Sequence, residues 1–517
     1  MKFLLFGTGD YYNRYRIWFD SKDIAALIDN AEEKQGQYVD GIRVISPEDV
    51  SRYEYDAVVI LSFYVKAMKA QLIDLGVEEK KIYHFFDLHD LIYHPGIRRR
   101  ICCYGLQDCT ESVYDYRSES KQSGSEQSGI CHRLEVSFLS EKHCGSSKKI
   151  LLLSNDLTLG GPAIALYHAA QILIKRGYRV VYGSMLDGPL RDILTEEGIP
   201  VIVDENLMIQ TMDEAQWVRK YSFIICNTMN FHVFLSGRDK RIPVAWWLHD
   251  ALFFYDGIRR EALDKLTQDN MAVWSVGPIP ERAVKAFRPD FYVEDLIYGV
   301  TDQAEEENRG KVTGNAMVKN VEEKKERVET GRRDEQKIII RFITIGYIEH
   351  RKGQDILLEA IKGLEQDIRQ KAEFLFVGQN TSLLAKDLIA AAGEIPEIRF
   401  TGPVNRSKID SLLGRADMLV CPSREDPMPT VAAEAMMHKV PCLVSDTTGT
   451  VKYIRDGIDG LIFQSENAEQ LKETLERCIR GEFDLDQMGR NARNAYEKYF
   501  SMEAFENRLM DLISNQI

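Results

Sequence analysis

The sequence lacks any apolar run approaching the ~18 residues that a membrane-spanning helix needs. Its opening segment, Met1 to Phe6, leads straight into Gly7, Thr8 and Gly9, so it reads as a first strand and not as a secretory leader. A cytoplasmic protein is therefore expected. No basic patch stands out either: 66 Lys and Arg face 80 Asp and Glu, a net charge of -14. A polyanion would be repelled at long range, which argues against a nucleic-acid partner. A basic amphipathic helix is also missing, so nothing drives membrane binding, although peripheral contact with the inner face of a membrane stays open at this point. The nine cysteines include no C-x-x-C pair. Five of them, Cys102, Cys103, Cys109, Cys131 and Cys144, fall within 43 residues beside His132 and His143, yet none of the spacings sets two thiolates on one tetrahedral ion. Reduced thiols in a loose connector and no metal site are the expectation. Asp-x-Asp occurs only as Asp484-Leu485-Asp486, in a polar stretch that reads as surface.

What is present is an ordinary globular composition, 44% apolar and 28% charged, over 517 residues. At roughly 150 residues per domain that length suits three or four domains. Apolar runs such as KFLLF, DIAALI, DAVVIL and KIYHFF alternate with a helical pattern up to about residue 92, as a small parallel sheet requires. Periodicity then stops, and SESKQSGSEQSG from Ser118 has five serines in twelve residues. The strand-helix rhythm resumes with KKILLLSND and continues through YRVVYGS, IPVIVDE, YSFIICN, PVAWWLHD, MAVWSVG and EDLIYGV. Continuous apolar strands of this kind belong to doubly wound sheets covered on both faces. Between Asp302 and Lys337 lie ten acidic and nine basic residues with little to bury. A third α/β unit follows. The fold class predicted is α/β: two Rossmann-like lobes behind a small Rossmann-like domain. The boundaries are 1–93, a Ser-rich linker 94–147, a first lobe 148–301, a charged linker 302–336 and a second lobe 337–517. Paired halves of this type make a cleft beyond the carboxyl ends of their strands.

The third unit carries the densest chemistry. Asp426 lies in a strand-to-helix loop and Glu434 eight residues on, inside the helix, with Pro429 suited to the first helical turn. That helix start suits an anionic phosphate, and Glu434 can accept from two vicinal hydroxyls, as a ribose demands. Upstream, Gly346 ends a strand and Arg351 and Lys352 precede Gly353 at another helix start. Adjacent cations there oppose the helix dipole and make sense if an anion is bound, such as a departing nucleoside diphosphate. Taken singly, each set also suits solvated helix-start acids or an exposed cationic loop. In the first lobe, Gly160 and Gly161 follow a strand and open a helix, which lets backbone approach a ligand. His249 ends the strand-forming run WWLHD; read alone, such a histidine is more often structural.

In combination these motifs resemble a known family. KGxxxLLxA from Lys352, F-x-G at Phe400 to Gly402, DMLVCPSREDPMPTVAAEAM from Asp417 and DGIDGLIF from Asp456 strongly resemble the retaining glycosyltransferases of family 4, with the GT-B fold. GG-x-A-x-A-L at Gly160, WWLHD and LIYGV (residues 296–300) look like that family's acceptor half. The resemblance covers about 148–517. It implies that Lys352 holds the donor diphosphate, Glu434 the ribose hydroxyls and Asp426 the hydroxyls of the transferred sugar. It places His249 over the sugar ring on the acceptor side and the Gly160-Gly161 backbone near the phosphates. His249, Asp426 and Lys352 form the catalytic set; Arg351, Gly346 and Thr430 complete the donor-binding set. The implied reaction is front-face transfer with retention, without metal, cofactor or protein nucleophile, the leaving diphosphate helping to deprotonate the acceptor. A nucleotide-diphosphate sugar and a glycan or lipid-linked acceptor are the implied partners, in surface polysaccharide or glycolipid synthesis. Two departures stand out: the family's acid is commonly Glu followed by Gly-Phe-Gly, whereas Asp426 precedes Pro-Met-Pro, and the usual Arg is Tyr347, for which Arg351 is the substitute. The stretch 495–513 looks like the family's closing helix, crossing back onto the first lobe.

Two other classes fit parts of the chain. Gly7 and Gly9 after the first strand, with Asp29 about twenty residues on, suggest nucleotide-dependent redox chemistry, but the third glycine of that fingerprint is replaced by Tyr12. A regulatory or docking role for this domain is favoured over dehydrogenation. The other reading is a scaffold that keeps the GT-B shape without catalysis.

Overall fold

The computed structural model describes residues 1–93, 101–105, 148–302, 339–393 and 395–516. They form two compact units: one of the described residues up to 275 with 280–294 and 514–516, the other of 276–279 with the described residues from 295 to 513.

In the first unit, the head sheet runs in the order Tyr38–Val39, Ile42–Ile45, Ile24–Ile28, Phe3–Phe6, Ala57–Ile60, Ile82–His84. All pairs are parallel except the Tyr38–Val39/Ile42–Ile45 hairpin, which the apolar pattern does not announce because only its second strand is substantially buried. The second sheet of this unit includes, in order, Met271–Ser275, Val244–Leu248, Phe223–Asn227, Lys149–Ser154, Arg179–Ser184, Val201–Asp204 and Ile101–Tyr104. Its parallel strands are almost wholly buried, as a sheet covered on both faces requires. Ile101–Tyr104 pairs antiparallel with Val201–Asp204 at the sheet edge. The stretch 94–147, read as a linker, therefore contains a strand, and it buries Cys102 and Cys103. Cys109, Cys131, Cys144, His132 and His143 lie outside the described residues, as do the linkers beyond that strand. Among the described residues no cluster of three or more His, Cys, Asp or Glu could hold a metal ion. No described helix is long and apolar enough to cross a membrane.

The head is not a separate body. It shares one hydrophobic core with the second sheet, in which Trp18, Phe85 and Phe86 join Trp217, Phe231 and Trp246. Trp18 Nε1 donates to Met208 Sδ at 3.3 Å, and Arg259 meets Asp87 at 3.2 Å.

The second unit holds a six-stranded parallel sheet, ordered Ile398–Gly402, Ala372–Val377, Ile340–Ile345, Met418–Cys421, Cys442–Ser445, Gly460–Phe463. The first strand in sequence is central, so strand order reverses between Ile340–Ile345 and Met418–Cys421. Two sequence expectations shift here. EDLIYGV is not one strand: residues 295–302 belong to the second unit, with Val300 bridging Ser501. The closing helix is two helices, Leu485–Tyr499 and Met502–Ser514, interrupted where Phe500 N bonds Tyr496 O and Phe500 O accepts from Val300 N. Asp484 caps the first of them by accepting from Gln487 N at 2.9 Å, and Asp484 and Asp486 are both exposed.

Candidate active site

In open α/β sheets the crevice for a ligand opens where strand order reverses. In the second unit the loops after Ile345 and after Cys421 meet at that place. The β-branched strand Ile340–Ile345 ends at Gly346, and a 3-10 turn, His350–Lys352, leads into the helix Gln354–Gly363. Gly353 is left-handed at φ 67°, and a Cβ there would lie 1.9 Å from Pro422 O. Only glycine lets the two loops close this far. Closing them brings Lys352 Nζ to 2.5 Å from Asp426 Oδ2 and Arg351 Nη1 to 3.9 Å from the same oxygen. Arg351 is aimed by Glu425 O at 3.1 Å and Glu349 at 2.8 Å. Arg424 braces the turn from below, bidentate on Asp355 at 2.9 and 2.7 Å and donating to His350 O at 2.7 Å. Tyr347, at the family's usual Arg position, is exposed, so Arg351 is the cation that shares the site with Lys352.

Asp426 is nearly buried, its carboxylate 7% exposed, and its backbone is tied to Thr447 and Gly449. Pro429 precedes the helix Thr430–Met437 as its cap and not as its first residue. Thr430 stands at the helix start. Glu434 is buried within that helix and pairs with Arg406 Nη1 at 2.5 Å. Arg406 escaped the sequence reading, although it carries the same signal as Lys352: a cation on the first turn of a helix, here Arg406–Leu413 with Asn405 capping. Tyr298 also escaped it. LIYGV looked like part of the acceptor half, but Tyr298 is buried in the second unit, donates to Met428 O at 2.6 Å, and has its hydroxyl pKa pushed up by burial and by Asp426 and Glu434.

In the first unit, Gly160 and Gly161 open the helix Gly161–Lys175 and are exposed. Asp156 shapes the loop before them, accepting from Thr158 N at 3.0 Å and Thr158 Oγ1 at 2.6 Å. Asn227, at the end of the neighbouring strand, donates to Pro162 O at 2.7 Å. Thr228 follows at φ 78°, ψ 162°, a region that side chains rarely tolerate. It is held by Trp247 O at 2.8 Å and Trp246 Nε1 at 2.8 Å. Asp250 accepts from Met229 N at 2.7 Å, and burial pushes its carboxyl up to about 6. His249 lies 4.7 Å from the Trp247 ring; its Nε2 is buried without a hydrogen-bond partner, and burial pulls its pKa down to about 3. The imidazole is therefore neutral at physiological pH, with one ring nitrogen unpaired. The first unit thus brings His249 and the Gly160-Gly161 loop to the same end of its sheet, with the strand Phe223–Asn227 between theirs. The second brings together Lys352, Arg351 and Asp426, and separately Glu434 with Arg406.

The head's Asp29 is already engaged by Thr8 N at 3.2 Å, Ala31 N at 3.0 Å and Lys34 Nζ at 3.0 Å. Tyr12 fills the third-glycine position as a buried ring bonded to Asp40 at 2.9 Å. Neither observation favours a dinucleotide there.

Residues 322–495 match the family description Glycosyl transferases group 1, and residues 146–273 match Glycosyl-transferase family 4. Both matches are to glycosyltransferase models, and the fold is of the GT-B kind. Residues 1–83 match a C2185-like N-terminal domain. Among curated relatives, an uncharacterised glycosyltransferase of Methanocaldococcus jannaschii is 26% identical over 159 residues, 31% of this chain and 43% of the relative. The lipopolysaccharide glucosyltransferase WaaG of Escherichia coli is 26% identical over 154 residues, 30% of this chain and 40% of the relative. The chain thus spans less than half the length of these relatives. A solved structure of Anabaena HepE with UDP and glucose aligns over 71% of this chain and 100% of its own, at TM-score 0.54 and 17% identity. That likeness is one of fold.

Proposed function

We propose that this GT-B chain transfers a sugar from a nucleoside-diphosphate donor to a glycan or glycolipid acceptor, with retention and without a metal. The observation that carries the reading is the Lys352-Asp426 contact of 2.5 Å at the strand-order reversal. If Lys352 and Arg351 take the diphosphate and Asp426 the sugar hydroxyls, the scissile bond falls between a cation pair and a buried carboxylate. An incoming diphosphate then competes with Asp426 for Lys352, and the freed carboxylate turns to the sugar. Glu434, paired with Arg406, is suited to ribose hydroxyls. The dipole of the helix from Thr430 supports the leaving charge. Positioning and charge stabilisation are then the protein's share of catalysis. His249, neutral at physiological pH, contributes a hydrogen bond and not a charge.

HepE has been solved with UDP and with UDP-glucose, which makes uridine donors the first to test, and the lipopolysaccharide glucosyltransferase WaaG favours a cell-surface glycan or glycolipid acceptor. The experiment is a panel of UDP-, GDP- and dTDP-sugars in which nucleoside-diphosphate release is followed with and without EDTA. Release from one donor class that survives EDTA, with the product retaining the donor's anomeric configuration, is the expected result. Release abolished by EDTA, or an inverted product, overturns the mechanism; no release from any donor favours the scaffold reading.

A further inference from the structure

The His249-Asp250 strand end runs into a 3-10 segment, Leu252–Gly257, whose outer side rests on the head. Phe63 of the head meets the Phe254 ring edge-on at 4.9 Å and Phe253 at 6.0 Å. Behind Phe63, the half-buried Tyr11 and the buried Phe85 lie at 5.0 and 5.4 Å, an aromatic backing. The fit is tightest at Gly257, where a Cβ would lie 2.4 Å from the His84 ring. That ring is itself fixed: Nε2 meets Ser62 O at 3.0 Å and Nδ1 accepts from Phe86 N at 3.4 Å. Lys66 pairs with Asp256 at 2.8 Å, but the lysine is 78% exposed and so contributes little. A second contact reaches the other site loop of this unit, Arg14 to Asp156 at 3.9 Å.

We propose that the head is a positioning element for the His249 strand end, with Phe63 and His84 clamping the 252–257 segment that continues from it. This rests on the transferase reading for its catalytic consequence, but the clamp itself can be tested without it. Phe63 and His84 are positioning residues and touch no substrate. Their effect passes through backbone, from the seated aromatic segment to Ala251, Asp250 and His249. Because an aromatic pair of this kind shifts a local opening equilibrium by roughly two- to tenfold, the clamp should dominate over the exposed ion pair.

The test is hydrogen exchange by mass spectrometry on the full chain. Phe63→Ala and Gly257→Ala are each expected to speed exchange of the peptide covering 249–258 by roughly tenfold, with peptides covering 340–353 and 418–437 unchanged. Lys66→Ala should leave all three unchanged, and Phe63→Leu should restore most of the protection. Phe63→Ala serves as the deciding variant should Gly257→Ala fail to fold. With UDP-glucose as probe, hydrolysis should lose kcat while the donor KM holds. Unchanged exchange at 249–258, or exchange that rises equally in the second unit, overturns the clamp. Absent hydrolysis in the parent protein with the exchange pattern intact tells against the transferase reading and leaves the clamp standing.

Discussion

At the residue scale, the cation pair and the strained threonine make opposite predictions. Lys352 sits against the most buried acid of its site, so Lys352→Ala leaves the Asp426 carboxylate without its closest cation as well as removing the diphosphate grip. Turnover should fall at least ~100-fold, the scale of losing one principal charge stabiliser, as measured by nucleoside-diphosphate release. Arg351→Ala should cost less, because its guanidinium lies farther off and is divided between Glu349 and Glu425 O. Thr228 has a backbone conformation open to glycine but costly for a side chain, and its buried Oγ1 has no partner. Thr228→Gly should therefore raise stability by about 1 kcal/mol, seen as a higher Tm, the relieved strain exceeding the extra chain entropy of glycine. A lower Tm would show that packing of the Thr228 methyl outweighs its dihedral cost.

At the element scale, Gly353 joins a helix start to a strand end. Gly353→Ala forces Cβ into Pro422 O and twists a left-handed turn, so the loops after Ile345 and Cys421 must part. The expected result is lost donor binding in calorimetry together with a lower Tm, whereas Gly457→Ala, which also has positive φ but meets nothing within 4 Å, should affect stability alone. The elements that sequence made legible are those whose burial is uniform. Lys149–Ser154, Phe223–Asn227 and Met418–Cys421 read as strands because every interior position is apolar. Lys352 was legible because a cation at a helix start opposes the dipole unless an anion is bound, and Asp426 and Glu434 because they share one strand-loop-helix motif, eight residues apart. Ile101–Tyr104 was not, since four residues in an otherwise aperiodic stretch carry too little pattern. Tyr298 was missed because its role comes from a partner distant in sequence, Met428; Arg406 carries a helix-start signal, but only its pairing with Glu434 singles it out.

At the scale of the whole molecule, the two units should respond differently to acid. His84, His232 and His249 are all buried in the first unit, with pKa values lowered by burial to about 3, about 4 and about 3. The unfolded chain binds protons at these histidines below about pH 6.5 and the folded chain does not, so stability is lost as pH falls through that window. Asp250, raised to about 6, and Asp87 and Glu294, also raised by burial, work in the opposite direction, but only once the pH is below the histidine window's upper edge. The first unit should begin to lose stability near pH 6.5. In the second, Asp355, held below the usual carboxylate range against burial by Arg424, makes its loss only at lower pH. Thermal scans from pH 7.5 to 4.5 should show the earlier transition moving first; joint movement of both transitions would contradict this.

The strand Ile101–Tyr104 has a consequence for the connectivity of the chain. Hydrogen-bonded to Val201–Asp204, it anchors the head's own end of the polypeptide within the second sheet, in addition to the aromatic seam. Covalent continuity through 106–147 is then not what keeps the head in place. A protease site engineered into that interval and cut after folding should yield two fragments that co-elute as one species, and co-expressed halves should reassemble as a split protein.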